Sequence, residues 1–198
     1  MSLTGQVLEL LQKNGMMRPR ELASLGIPVS YLHRLHKRGL IMKLERGVYA
    51  PLSLDVTEHH SLALAGKQVP GGIICLLSAL QFHDLTTQTP AHVWLALANG
   101  KRKPEIAYPP LKIVLFSGDA LTAGVEEHYI EGVTVKIYNP AKTVADCFKY
   151  RHKIGLDIAI EALKTCRAKR KCSGDALWRY ARICRVGKVM QPYLEMVG

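Results

Sequence analysis

The chain has 198 residues, 48% of them hydrophobic and 7% aromatic, and its 27 Lys plus Arg against 16 Asp plus Glu leave a formal net charge of +11. This composition supports a packed core and excludes an intrinsically disordered chain. No apolar run approaches the roughly 18 residues of a membrane span. No basic start followed by a long apolar block opens the chain, so no secretion signal is expected. Five cysteines without a recognisable disulfide framework point to a reduced, cytoplasmic compartment.

The charge is unevenly placed: +5 over residues 1–50, −2 over residues 51–138 and +8 over residues 139–198. Two basic ends around a faintly acidic middle fit a polyanion partner, nucleic acid first among them.

From the N-terminus, Thr4 is placed to cap a helix whose Val7, Leu8, Leu10 and Leu11 share one face, and Asn14-Gly15 stops it. Pro19 suits the first turn of a second helix carrying Leu22, Ala23 and Leu25, closed by Gly26. A third helix is expected from about Pro28 to Lys37, stopped by Arg38-Gly39. A β-hairpin follows, Leu40–Leu44 and Val48–Ala50 about Glu45-Arg46-Gly47. Three short helices and a hairpin are the order of a winged helix-turn-helix.

On the third helix, successive residues turn by about 100°, so Leu32 and Leu35 point one way while Ser30, His33, Arg34 and Lys37 point the other. Tyr31 and Arg38 lie on the flank. Such a helix packs its apolar stripe on its neighbours and presents its polar face to a major groove. Arg34 is the candidate for a guanine edge, since its fork reaches two acceptors at once, while Lys37 and Arg38 suit base or phosphate. Arg46 at the hairpin tip, Lys43 on its strand, and Arg18 and Arg20 at the start of the second helix suit phosphate contact. The competing reading is a solvated charged face in a protein-interaction module.

Residues 51–56 read as a linker, and residues 57–198 as a larger mixed α/β domain ending in helices. The expected elements are a helix over Val56–Lys67, strands at Ile73–Leu76, His92–Leu97 and Leu111–Phe116, and a short helix over Ser78–His83. A hairpin, Val125–Ile130 with Val133–Tyr138, turns at Glu131-Gly132. The whole is α+β, a winged head followed by this mixed domain. Asn139-Pro140 caps a helix, another covers Asp157–Lys164, and Ser173 caps a third carrying Leu177, Trp178 and Ala181.

Enzyme chemistry finds little support. His59-His60 with His83, His92 or Cys75 lack closed metal spacing. Asp119, Glu126, Glu127 and Glu131 with Lys136 fit a nuclease carboxylate set loosely, and alternating charge on a hairpin explains them more simply. No phosphate loop or nucleophile elbow occurs. No metal or cofactor is therefore expected, and the chain reads as a non-enzyme. Lys164–Lys171 packs five basic residues into eight. Lys169, Arg170 and Lys171, with Arg179 and Arg182 on the next helix, form a candidate second basic surface. Cys166, Cys172 and Cys184 read as structural residues or free thiols.

Two stretches together resemble a known family. Tyr31-Leu32-His33-Arg34-Leu35-His36-Lys37-Arg38-Gly39-Leu40, followed by Arg46-Gly47-Val48-Tyr49, is similar to the winged helix of the AbiE-type (AbiEi) antitoxins. Val135-Lys136-Ile137-Tyr138 leading into Asn139-Pro140-Ala141-Lys142-Thr143-Val144-Ala145-Asp146 resembles that family's second motif, a strand entering a Pro-started helix with a Thr and an Asp. These antitoxins serve type IV toxin–antitoxin systems of bacterial abortive infection, a phage defence. The resemblance implies a head that binds inverted repeats of double-stranded DNA in its own promoter and represses the operon. It implies a C-terminal domain that counters a nucleotidyltransferase-like toxin without a stable complex. Thr143 and Asp146 have structural roles as the simpler reading. No long dimerisation helix is evident, which favours a monomer in solution that binds cooperatively on DNA. The alternatives are a DNA-binding nuclease and a basic protein-interaction module.

Overall fold

The protein is described by a computed structural model covering residues 2–196. Its contacts divide the chain into two compact units. The first takes the chain up to Pro70 with Pro104–Pro109 and His128–Val135; the second takes Gly71–Lys103, Pro110–Glu127 and the chain from Lys136 onward.

The first unit opens with α1 (Leu3–Asn14), α2 (Pro19–Ser24) and α3 (Ser30–Lys37). Ser2, rather than Thr4, caps α1: its hydroxyl accepts from the Gly5 amide at 3.2 Å, and Thr4 falls inside the first turn. α2 begins at Pro19, with the Glu21 carboxylate accepting from the Arg18 amide at 2.7 Å. α3 begins at Ser30, two residues later than expected, because a tight turn engages the Pro28 and Val29 carbonyls with the amides of Tyr31 and Leu32. β1 (Ile41–Glu45) and β2 (Val48–Pro51) form the antiparallel hairpin. Met17 exchanges two hydrogen bonds with Tyr49, at 2.8 and 2.9 Å, and so adds a third rung to it. Val7, Leu11, Leu22, Leu32, Leu35, Ile41 and Tyr49 meet in one core. This is a winged helix-turn-helix. α4 (His60–Gln68) follows, starting later than the Val56–Lys67 span because residues 52–59 run as turns and irregular chain.

The second unit holds β3 (Ile73–Ile74), α5 (Leu76–Phe82), β4 (Val93–Ala98), β5 (Leu111–Phe116) and α6 (Asp119–Thr122). Then come β6 (Val125–Ile130) and β7 (Val133–Tyr138), a hairpin of which His128–Val135 count with the first unit, and α7 (Pro140–Lys149), α8 (Arg151–Ile154), α9 (Leu156–Ala168), α10 (Gly174–Ile183) and α11 (Gly187–Met196). The sheet order is β5-β4-β3-β7-β6. β4 runs parallel to β5 and β3 parallel to β7, while β3 and β4 are antiparallel. The fold is therefore mixed α+β. β4 reads as an unbroken apolar run because Val93–Leu97 are all buried.

α7 is the hub of this unit. The Asn139 carboxamide caps it, accepting from the Lys142 amide at 2.9 Å, and Pro140 takes the first turn. α5, α9, α10 and α11 pack around it, so Ala141–Phe148 are all buried. That burial includes two charges. Lys142 Nζ sits 2.5 Å from Asp146 Oδ2, one turn along the helix. The ammonium also lies 4.0 Å from the centre of the Tyr138 ring and 4.9 Å from that of Phe116. The other Asp146 oxygen accepts from Cys184 Sγ at 3.2 Å. Thr143 Oγ1 donates to the Tyr138 carbonyl at 3.1 Å. Burial pushes the Asp146 carboxyl above its usual range, against the pull of Lys142. Burial, then Asp146, pushes the Cys184 thiol up to about 12.

The cysteine expectation is corrected. Cys166 and Cys172 are joined as a disulfide, where free or merely structural thiols were expected. The chain reverses after α9 through Arg170, at φ 54°, which returns Cys172 to the helix with its Cα 5.7 Å from that of Cys166. No element was assigned from sequence to residues 187–196, where α11 carries Pro192 inside it. Met190 and Leu194, one turn apart and buried in the main core, supply the packing that outweighs the proline.

The turn of the β6–β7 hairpin belongs to the first unit. Glu131 and Gly132 both have positive φ, 51° and 79°, as a two-residue turn requires. Gly132 packs against the end of α1: a Cβ added there would stand 2.5 Å from the Asn14 carbonyl carbon and the Gly15 nitrogen. A Cβ on Gly15 would overlap the Glu131 carbonyl. The Glu131 carboxylate accepts from the Thr57 amide and hydroxyl at 2.8 and 2.9 Å and lies 2.6 Å from His60 Nδ1.

Candidate nucleic-acid interface

α3 is amphipathic in the sense the sequence predicts. Leu32 and Leu35 are buried, while Ser30, His33, Arg34, Lys37 and Arg38 are exposed and Tyr31 is half-buried. Arg34 does not hang free. Its guanidinium carbon lies 4.4 Å over the Tyr31 ring, one turn back, which narrows the orientations of the fork. His36 turns the other way. Its Nδ1 is 3.4 Å from the Ile41 carbonyl and its ring meets that of Tyr49 edge-on at 6.1 Å, so it braces the base of the wing.

Lys43 is exposed on β1 and Arg46 at the wing tip. Arg20 is exposed at the start of α2. A cleft of about 440 Å³ runs between that helix start, the wing tip and residues 105–107, with Arg20 and Arg46 on its walls beside Glu45 and Glu105. Among the described residues, Arg20, Arg34, Lys37, Arg38, Lys43 and Arg46 take part in no salt bridge. Their charge is therefore not cancelled by a carboxylate of the fold. Arg18 is differently placed. Its Nη1 donates to the carbonyls of Lys67 and Gln68 at 3.0 and 2.9 Å, tying the entry of α2 to the end of α4. Burial, with Arg20 beside it, lowers its pKa. Lys67 Nζ completes this joint, 2.8 Å from Glu21.

In the second basic set, two lysines have partners in the fold. Lys169 Nζ donates to the Asp84 carbonyl at 2.7 Å. Lys171 Nζ bonds the His83 carbonyl and, at 3.1 Å, the Asp84 carboxylate. Both lysines thus fasten the turn after α5. All five, Arg170, Arg179 and Arg182 included, are exposed. Arg182 instead joins Lys149 and Arg185 around a pocket that no single stretch of sequence announced.

The carboxylates weighed for a nuclease are dispersed. Glu131 is taken by Thr57 and His60, Glu127 lies 4.0 Å from Lys136, and Asp119 is in α6. Among the described residues no group of three or more His, Cys, Asp or Glu is arranged to hold a metal ion. His83 Nε2 lies 2.8 Å from the Tyr138 carbonyl, and Cys75 is fully buried. Among the described residues no helix is long and apolar enough to cross a membrane.

Residues 6–51, the helices and wing just described, match the profile of the family described as "Transcriptional regulator, AbiEi antitoxin". Over these residues the head is similar to the AbiEi antitoxins. The match ends at Pro51, the last residue of the wing. The AbiEi resemblance of the strand and helix over 135–146 lies outside the matched span. A search among curated proteins gave no match. Among solved structures, the fold is similar to the crystal structure of the RV2827C protein from Mycobacterium tuberculosis, with a TM-score of 0.57 and 17% sequence identity, covering 89% of this chain and 70% of that one. At that identity the likeness concerns the fold, and it extends well past the matched head.

Proposed function

We propose that the protein is a sequence-specific repressor of its own toxin–antitoxin operon and the antitoxin to a nucleotidyltransferase-like toxin, acting in bacterial abortive infection. Residues 1–50 carry the DNA-binding function, residues 51–56 lead out of it, and residues 57–198 carry the antitoxin function. The reading rests on one observation above the others. The solvent face of α3 carries Ser30, His33, Arg34 and Lys37, its cations are unpaired by the fold, and Arg34 is stacked on Tyr31. α3 enters a major groove, Arg34 reads a guanine, Lys37 and Arg38 take base or phosphate, and Arg20, Lys43 and Arg46 hold the backbone on either side. Arg18 acts from behind α2, through its bonds to α4.

The partner DNA is an inverted repeat in the promoter, filled by two cooperatively bound monomers. The toxin is countered without a stable complex, in the cytoplasm, and no cofactor or catalytic step is involved. Arg170, Arg179 and Arg182, with Lys169 and Lys171 fastening the turn below them, are the first residues to vary for the antitoxin function.

Fluorescence anisotropy tests the central claim, using the duplex from just upstream of the gene and a scrambled duplex at two salt concentrations. A preference of about a thousandfold or more for the upstream duplex is expected. Equal, steeply salt-dependent binding to both would reduce the head to a non-specific polyanion surface or a protein-interaction module.

A further inference from the structure

The second unit carries a cationic pocket of about 470 Å³ that the repressor reading does not use. Lys149 at the end of α7, Arg182 in the last turn of α10 and Arg185 just beyond it are among its lining residues. Ser117 and Asp119, beyond the end of β5, line it too. Among the described residues, none of the three cations takes part in a salt bridge. Three like charges around one hollow repel each other, and Asp119 offsets one of them. Asp146, the buried carboxylate of α7, is paired with Lys142, and Lys149 adds a weaker pull on it.

Three further observations bear on what fills the hollow. Arg185, at φ 58°, is the left-handed cap that closes α10, its neighbour Val186 donating to the Ala181 carbonyl at 2.8 Å, so its backbone place on the pocket wall is fixed by the helix end. The pocket lies at the carboxyl end of the parallel pair β4 and β5, where open α/β sheets place their ligands. The Asn99 amide donates to the Phe116 carbonyl at 2.8 Å, so the turn bearing exposed Lys101 and Lys103 starts beside the same strand end. The volume is that of a small-molecule site, about 300–1,000 Å³, and more than a single phosphate needs. Its rim also has an apolar part, Leu115 (42% exposed) and Ile183, suited to the face of a base.

We propose that this pocket binds a nucleoside polyphosphate, with Lys149, Arg182 and Arg185 on the phosphates and Leu115 and Ile183 under the base. Several negative charges answer the excess of positive ones, and the two guanidiniums offer paired donors to phosphate oxygens. The site shares no residue with the DNA-reading face, so it stands or falls independently of the operator reading.

Isothermal titration calorimetry of the full chain in metal-free buffer, with ATP, AMP and tripolyphosphate as probes, tests it. ATP is expected to bind saturably at one site, and AMP about tenfold more weakly or worse. Tripolyphosphate is expected to bind several-fold more weakly than ATP; equal affinity would overturn the assignment of a base to the rim. Arg182→Ala with Arg185→Ala should cost ATP about tenfold or more, while Lys164→Ala with Lys188→Ala, the same loss of charge elsewhere, should cost little. Absence of saturable heat with ATP, or equal loss in both pairs, overturns the proposal. Should the arginine pair unfold, the exposed Asp119→Asn serves instead. It should tighten ATP by roughly threefold, because a like charge leaves the site, and unchanged affinity would count against the pocket.

Discussion

Replacing Asp146 by Asn asks what the buried pair of α7 contributes. The carboxylate is fully enclosed, 2.5 Å from an equally enclosed ammonium. Losing its charge leaves Lys142 among Tyr138, Phe116 and Cys184 with no anion in reach. Breaking a buried pair from one side costs ~3–5 kcal/mol. At ~2–4 °C per kcal/mol for a chain of this size, the midpoint should fall by about 6–20 °C. Lys142→Met should cost less, because the stranded Asp146, already pushed up by burial, can take a proton. The double variant Lys142→Met, Asp146→Leu places apolar atoms in an apolar site and should return to within about 1–2 kcal/mol of the parent. Urea unfolding followed by circular dichroism and by Trp94 and Trp178 fluorescence, applied to the parent, Lys142→Met, Asp146→Leu and the double variant, gives all four corners of the cycle. Additivity of the single effects within ~0.5 kcal/mol would refute the reasoning, since uncoupled residues add.

Other outcomes follow from the same geometry. Lys142→Met should show a pH dependence: with its pKa raised further in the folded state, Asp146 binds its proton more readily there than in the unfolded chain. The variant's stability is then fully kept below the unfolded carboxyl range and lost as pH rises through the folded pKa, a fall that urea titrations at a series of pH values would show to be steeper than the parent's. Arg34→Ala should cost ~1–3 kcal/mol of operator binding and relax preference at one base pair, whereas Tyr31→Leu should cost ~0.5–1 kcal/mol by freeing the guanidinium; anisotropy on a panel of single-base operators separates the two. Arg46→Ala should lower the slope of log K against log salt by roughly 0.9, while Arg18→Ala should lower the melting temperature and leave that slope alone. Gly132→Ala should destabilise by at least ~1–2 kcal/mol, from the left-handed backbone and the clash with Asn14; a melting temperature equal to the parent's would mean that α1 and the turn part without cost.

What the sequence disclosed and what it hid divide by distance along the chain. The β6–β7 hairpin was legible to the residue because Glu131-Gly132 names its own turn, and α7 because Asn139-Pro140 names its own start. The face of α3 was legible because the spacing of Leu32 and Leu35 fixes where Arg34 and Lys37 point. Arg18 looked like a phosphate contact because its carbonyl partners lie 49 and 50 residues away, out of reach of any local pattern. The pocket of Lys149, Arg182 and Arg185 was hidden for the same reason, its cations belonging to two helices that only the fold brings together. α11 was not assigned from sequence, and the burial of Met190 and Leu194 that holds it against Pro192 is a tertiary fact. Lys169 and Lys171 were read as a run of charge, when the turn after α5 had already engaged them.

The niche at Gly15 bears on how such a protein can be recombined. It has room for a backbone carbonyl and none for a side chain, and the Glu131-Gly132 turn fills it. A gene break placed after the wing would hand a new partner three helices and a hairpin, but with that niche bare and the Asn14 end of α1 uncovered. The heads of such chains are therefore exchangeable only together with a fitting hairpin tip some eighty residues downstream of the wing. Among descendants of this chain, positions 15 and 132 should stay glycine together or change together.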